Sequence, residues 1–300
     1  MVRPDGTYAV DSTPLILELE GSFPGRHVVP LNMGQAFLAA FVEDFADEWL
    51  TKVMFECRFH TAEDSHFGAA WQGWQGYPEL HKTTGISEDM LELSLDAFAE
   101  RQRKRRGRVV GSPWEVVVFT LRRVCAILKE SIRAGHPFLF GSRPTIADFG
   151  VYGQLSQLAK DRTVCSVVQE YPEAWGWVWK MDDLSGYEAP VDDPSVPQES
   201  PKAVLELLRL ASKTYIPFLL ENARAVHEGK SVVEVEILDG RFTHSQPSFK
   251  YQATYCLPQL RKQYAALTGD DLKYVNTTLL QAGCYNAFAS GSACVPSSKL

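Results

Sequence analysis

Phe138-Leu139-Phe140-Gly141-Ser142-Arg143-Pro144-Thr145-Ile146-Ala147-Asp148-Phe149 is the stretch that decides the fold. A Gly-containing loop ends at Pro144. Thr145 and Asp148 then form a capping box, in which the Thr hydroxyl can cap the amide three residues on and the Asp carboxylate can reach back to the Thr145 amide. Phe149, Tyr152, Leu155 and Leu158 continue an apolar stripe at helical spacing, so the box should open a core helix. Its role is structural: such a cap contributes about 1 kcal/mol and carries no chemistry.

Working upstream, Ser112-Pro113-Trp114-Glu115 combines an N-cap Ser, a Pro at the first helical position and a Glu that can close a second box. The helix after it, to about residue 133, should bury Val117, Val118, Leu121, Val124, Cys125 and Leu128. Farther back the period is helical from residue 31. Phe37, Leu38, Phe41, Val42, Phe45, Trp49, Leu50, Val53 and Met54 fill one face, and Glu43, Asp44, Asp47, Glu48 and Lys52 the other. An aromatic, Gly-containing loop is expected over 67–77, with Trp71 and Trp74, before a helix from Ser87 into a basic run at 101–108. That run suits a polyanion or a solvated helix end, where cations meet the negative pole; the helix end is favoured. Nearest the start, Tyr8-Ala9-Val10 reads as a short strand, Ser12 as an N-cap and Pro14 as a first-turn residue of a helix, followed by a Gly/Pro connector at 21–30.

Downstream, Trp175, Trp177 and Trp179 read as core. Residues 188–201 are rich in Pro, Asp and Ser and read as a surface loop. A helix over 201–224 interrupted near Pro217 comes next. Strict alternation over 232–237 followed by Asp239-Gly240 and Arg241-Phe242 signals a hairpin, and helices over 251–267 and 271–282, the latter stopped by Gly283, close the pattern.

With 300 residues, 45 % of them apolar, the chain can bury a sizeable core. A formal charge of -7 argues against general nucleic-acid binding. No run approaches the roughly 20 apolar residues of a membrane span, and the opening residues lack a signal-peptide core, so a soluble cytoplasmic protein is expected. Cysteines 57, 125, 165, 256, 284 and 294 are far apart and read as reduced, buried thiols; His60 and His66 are off a common helical face, so no metal site is expected.

Two segments resemble the glutathione S-transferase superfamily. Val10-Asp11-Ser12-Thr13-Pro14-Leu15-Ile16 looks like its acidic-Ser turn, and the stretch from Phe138 to Phe149 looks like its capping-box segment, so that the resemblance extends over 7–184. The resemblance implies a mainly α protein: a partial thioredoxin-like α/β element over 1–26, a helical bundle like the family's C-terminal domain over 31–187, and a mixed α/β extension over 188–300. It also implies a glutathione-dependent transferase acting on a small electrophile, with Asp11 and Ser12 binding glutathione. Trp49, Arg58 and Phe59 are the second-substrate candidates, with core packing or a surface salt bridge as their plainer roles. A homodimer is left possible; nucleic acid and membrane are not expected partners.

Physics independent of the resemblance supports the first segment, because helix-terminal amides and a Ser hydroxyl suit a carboxylate while Asp11 can accept from an ammonium group. The same pair also serves as an ordinary helix cap. The family's strand-helix-strand start takes about 30 residues, whereas six precede Thr7. That unit and its thiol-activating residue are therefore expected to be absent here. Pro4 before Asp5-Gly6 reads as a turn, not as the family's cis-proline. A non-catalytic scaffold or interaction protein is the alternative.

Overall fold

Apolar periodicity sets nearly every helix of this chain. The computed structural model describes residues 1–23 and 25–289, which form a mainly helical protein with one two-stranded antiparallel sheet. Cys294 lies outside the described residues. Helix α1 (Ser12–Ser22) is followed by a continuous rod built from α2 (Met33–Phe45), a π-turn (Ala46–Leu50) and α3 (Thr51–Phe59). Asn32 starts the rod: its Oδ1 accepts from Gln35 N at 2.9 Å, and its Nδ2 donates to Asp271 Oδ1 at 2.7 Å. The predicted face, from Phe37 through Trp49 to Val53, is buried.

The expected loop over 67–77 is instead the middle of α4 (Ala62–Thr84), which pairs with α5 (Glu88–Val109) as a helical hairpin. Two of its three glycines, Gly68 and Gly73, are contact points rather than breakers. A Cβ on Gly68 would sit 2.9 Å from Arg58 Cγ, and one on Gly73 would sit 2.2 Å from Leu95 Cδ2. Thr61 caps α4 by accepting from Asp64 N at 3.0 Å, and α5 starts beside Ser87 as predicted, with the Ser87 side chain as its cap.

Helix α6 (Trp114–Arg133) begins where predicted, but no side chain caps it. The Ser112 hydroxyl is committed to His244 Nδ1 at 2.7 Å. Helix α7 (Ile146–Leu158) lies against α2 and the π-turn at the centre of the molecule. Its capping box forms: Asp148 Oδ2 accepts from the Thr145 amide at 2.9 Å. The second Asp148 oxygen accepts from Leu139 N at 2.8 Å, which ties the loop before the helix to its first turn. Helices α8 (Cys165–Gln169) and α9 (Pro172–Asp182) follow. Of the three Trp expected in the core, Trp177 is buried, whereas Trp179 is 54 % exposed and Trp175 lies at the core's edge.

After an irregular segment at 183–201, α10 (Lys202–Lys213) and α11 (Tyr215–His227) break at Thr214. The predicted hairpin then appears as β1 (Val232–Ile237) and β2 (Phe242–Pro247), with Val232 opposite Pro247 and Ile237 opposite Phe242. Its tip docks on the helix break through Leu238 N to Lys213 O at 2.7 Å. A second π-turn (Gln252–Cys256) leads into α12 (Leu257–Ala265); α13 (Gly269–Ala282), ended by left-handed Gly283, and α14 (Asn286–Ala289) complete the described chain. Residues on both sides of Tyr187 share one buried cluster: Phe288 packs edge-on against Phe37 and Phe41. No helix among the described residues is long and apolar enough to cross a membrane.

Gly111, between α5 and α6, has φ +72°, and a Cβ there would lie 2.7 Å from His244 Cε1 and 2.9 Å from Ser245 O. Its carbonyl accepts from Ser245 N at 2.8 Å. Gly111→Ala should therefore cost about 2 kcal/mol or more through combined backbone strain and overpacking, read by urea denaturation.

Candidate functional site

The Asp11–Ser12 turn is exposed at the head of α1, and the structure sets it differently from the sequence reading. No strand forms over 8–10. A single bridge pairs Val2 with Tyr8, and Tyr8 and Val10 are exposed, because a strand without a ladder partner has nothing to satisfy its amides. The helix cap is Asp11, not Ser12: Asp11 Oδ1 accepts from Thr13 N at 3.2 Å. Asp11 takes φ 77° and ψ 123°, a left-handed backbone that L-residues adopt only at a cost. The Ser12 hydroxyl thus has no capping duty and makes no hydrogen bond among the described residues.

Below the turn, Thr13 Oγ1 donates to Glu43 Oε1 at 2.5 Å and so fixes α1 to α2. Tyr251 Oη reaches Asp11 Oδ2 at 3.5 Å. Burial pushes the Glu43 carboxyl up to about 7, against the Thr13 hydrogen bond; the charges of Asp47, Asp11 and Glu48 add to the rise. Asp47 is also raised, by burial first and then by Glu48 and Asp11. One helix turn along, Asp44 accepts from Tyr215 Oη at 2.7 Å, and burial lifts its carboxyl to about 8. The turn therefore offers an unengaged hydroxyl at a helix start, with carboxylates in place to receive a cation. Glu43, Tyr251 and Asp47 were not foreseen as neighbours of this turn, since no local signal links α1 to residues 30 or 240 positions away.

The other three candidates are placed elsewhere. Trp49 is buried between Tyr215, Phe218 and His244. Phe59 is buried beside Phe55 and Phe98. Arg58 is 6 % exposed and binds Asp161, itself 2 % exposed, through Nε at 2.9 and 3.2 Å. The ion pair is therefore interior, not on the surface.

A second polar constellation joins Ser112, His244, Gln246 and Lys52. Gln246 Oε1 accepts from Lys52 Nζ at 3.0 Å and from His244 Nε2 at 3.1 Å, so His244 Nδ1 is the acceptor for the Ser112 hydroxyl. This looks like an activated serine, but the electrostatics oppose it. Burial, reinforced by the nearby Lys52 charge, holds the imidazole down to about 3, so it is a poor base and an imidazolium would face an ammonium. The cluster serves to anchor the β-hairpin to the rod.

Burial pushes the thiols of Cys57, Cys125, Cys256 and Cys284 above the ordinary range, and Cys165 is half-buried. Among the described residues, no group of three or more His, Cys, Asp or Glu could hold a metal ion. No family model and no curated protein matches this sequence.

Proposed function

We propose that this chain is a glutathione S-transferase-like protein that holds the γ-glutamyl end of glutathione at the Asp11–Ser12 turn and presents it to a small electrophile. In the same reading, residues 1–26 correspond to a partial thioredoxin-like element and 31–187 to the family's helical domain. The observation that carries the proposal is the strained backbone of Asp11 beside an exposed, unengaged Ser12 hydroxyl. An ordinary cap needs neither, and strain of this kind, of order 1–3 kcal/mol, persists where the surroundings enforce it. An amino-acid-like end carries one carboxylate and one ammonium. The helix start with Ser12 suits the first, and the carboxylates of Asp11 and Asp47 suit the second. No thiol-activating residue is assigned.

Titration calorimetry with glutathione tests this. Binding is expected in the micromolar to millimolar range, and Ser12→Ala should weaken it by about 1 kcal/mol, near fivefold. No heat at millimolar glutathione, or an unchanged affinity in Ser12→Ala, would remove the turn as a ligand site. The second reading, a non-catalytic interaction protein, is favoured by the surface of the α4–α5 hairpin, where Met90 is 61 % and Leu93 74 % exposed.

A further inference from the structure

The loop that leads into α7 carries a charge that the fold leaves unanswered. Arg143 is half-buried, and its guanidinium donates from Nε and Nη2 to His27 O, at 3.0 and 2.7 Å, and from Nη1 to Pro190 O at 2.7 Å. These bonds stitch the connector before α2 and the segment after α9 to the loop that ends at the Thr145 capping box. The stitch needs donors, and a neutral donor would make the same bonds. All three bonds go to carbonyl oxygens, and among the described residues no carboxylate pairs with Arg143. A guanidinium has five N–H groups, so two remain over for a further acceptor.

An open pocket of about 520 Å³ lies against this guanidinium, a size that suits a small organic ligand. Arg26 and His27 line it together with Arg143, Phe149 of α7 and Tyr187 bring aromatic surface, and Glu188 is the one acid among the lining residues. Lys180 of α9 sits beside it, 5.2 Å from the Tyr187 ring centroid. Arg26 is exposed and makes no hydrogen bond or ion pair among the described residues. Glu20, the acid next to His27, is already engaged: it accepts from His27 Nδ1 at 3.0 Å and from the Val28 amide at 2.8 Å. Three cations therefore stand against one free carboxylate, in a chain whose formal charge is -7.

We propose that this pocket binds a phosphate monoester carrying an aromatic ring, of the size of a nucleoside monophosphate, with the phosphate between Arg143 and Arg26 and the ring against Phe149 and Tyr187. A guanidinium held in place by carbonyls is preorganised for a planar, two-pronged bond to an oxyanion. The excess of cations suits a group that carries about -1.5 to -2 charges at neutral pH, as a phosphate monoester does. A bare anion would leave the aromatic wall unused, and a neutral aromatic ring would leave the guanidinium unpaired. None of these residues belongs to the Asp11–Ser12 turn, so the inference does not depend on the glutathione reading.

Titration calorimetry on the full chain, with adenosine monophosphate as the probe, tests it. Binding in the micromolar range is expected, with adenosine and inorganic phosphate each about tenfold weaker or more. Arg143→Gln would disturb the stitch as well as the charge, so Arg26→Glu is the deciding variant. It should weaken the nucleotide about tenfold or more and leave circular dichroism and the melting curve unchanged, because Arg26 is exposed. Ser12→Ala should leave the affinity as it is. No heat at millimolar nucleotide would overturn the proposal. Adenosine or inorganic phosphate binding as tightly as the nucleotide would overturn it by showing that only one of the two parts is read. An affinity unmoved by Arg26→Glu, or lost in Ser12→Ala, would overturn it by placing the nucleotide elsewhere.

Discussion

Replacing Arg58 with alanine should cost about 3–5 kcal/mol of stability, the largest single effect expected in this chain. The guanidinium donates to both Asp161 oxygens and to Gln157 Oε1 at 3.1 Å, it lies 5.4 Å from the Trp71 ring centroid, and its stem fills the space left open by Gly68. Truncation removes the packing and strands a carboxylate in the interior. Burial already raises the Asp161 carboxyl, with Arg58 as the main counterweight, and Asp64 adds a like charge close by. Arg58→Lys keeps the charge but loses the planar fork, so it should recover only part of the loss. Arg58→Met combined with Asp161→Leu should recover more than either single variant, because no charge is then left unpaired. Urea denaturation reads all five variants. A loss below about 1 kcal/mol in Arg58→Ala would mean that the pair is not structural and would reopen Arg58 as a ligand-orienting residue.

The same residue marks the limit of what the sequence conveys. Its helical position was legible, but the partner 103 residues away was not, so the expectation was a surface salt bridge or an anion contact. The glycines of α4 taught the opposite error. Gly68, Gly73 and Gly76 resemble a loop when read locally, and only the three-dimensional neighbours, Arg58 and Leu95, show that two of them remove side chains where helices touch. Ser112 carries every sign of an N-cap, yet His244 takes its hydroxyl. What was legible rests on signals confined to a few residues. The box at Thr145 and Asp148, the Asp239-Gly240 turn and the Gly283 stop each fix local backbone without distant help.

For the candidate site, the turn at Asp11 and Ser12 was visible and its setting was not. That Asp11 rather than Ser12 would cap α1 depends on a backbone conformation that no residue pattern announces, since Asp adopts φ above zero only uncommonly. The supporting carboxylates belong to the polar face of α2 and the π-turn. In sequence they form the polar face of an amphipathic helix, and Thr13 of α1 on one side and Tyr215 of α11 with Gln252 of the second π-turn on the other cover part of it.

That burial should give the protein an inverted pH dependence, with stability falling as pH rises from about 5 to about 8. Three carboxyls set the sign. Burial raises Glu43 from 4.5 to about 7, Asp44 from 3.8 to about 8 and Asp148 from 3.8 to about 6. Between the unfolded and folded values the native state holds more protons than the unfolded one, so unfolding free energy declines by about 1.4 kcal/mol per pH unit for each net proton. His244 opposes this below its ordinary 6.5, since its folded value near 3 leaves the native state one proton short there. From about pH 4.5 to 6, three carboxyls therefore outweigh one imidazole, and between 7 and 8 the decline rests on Asp44 alone. Lys52, lowered by burial from 10.5 to about 8, reverses the slope above that point, because the unfolded state then binds the extra proton. The exposed carboxylates with lowered values, such as Asp5 and Asp239, are screened by solvent and add little. Asp44→Asn keeps an acceptor for Tyr215 but cannot ionise, so it should flatten the segment between pH 7 and 8 and leave the rest of the curve in place. Melting curves on the wild type and Asp44→Asn across that range decide the matter. Stability that rises steadily from pH 5 to 8, or a slope between 7 and 8 that survives in Asp44→Asn, would show that these carboxyls are ionised in the native protein and that water reaches the α2 face.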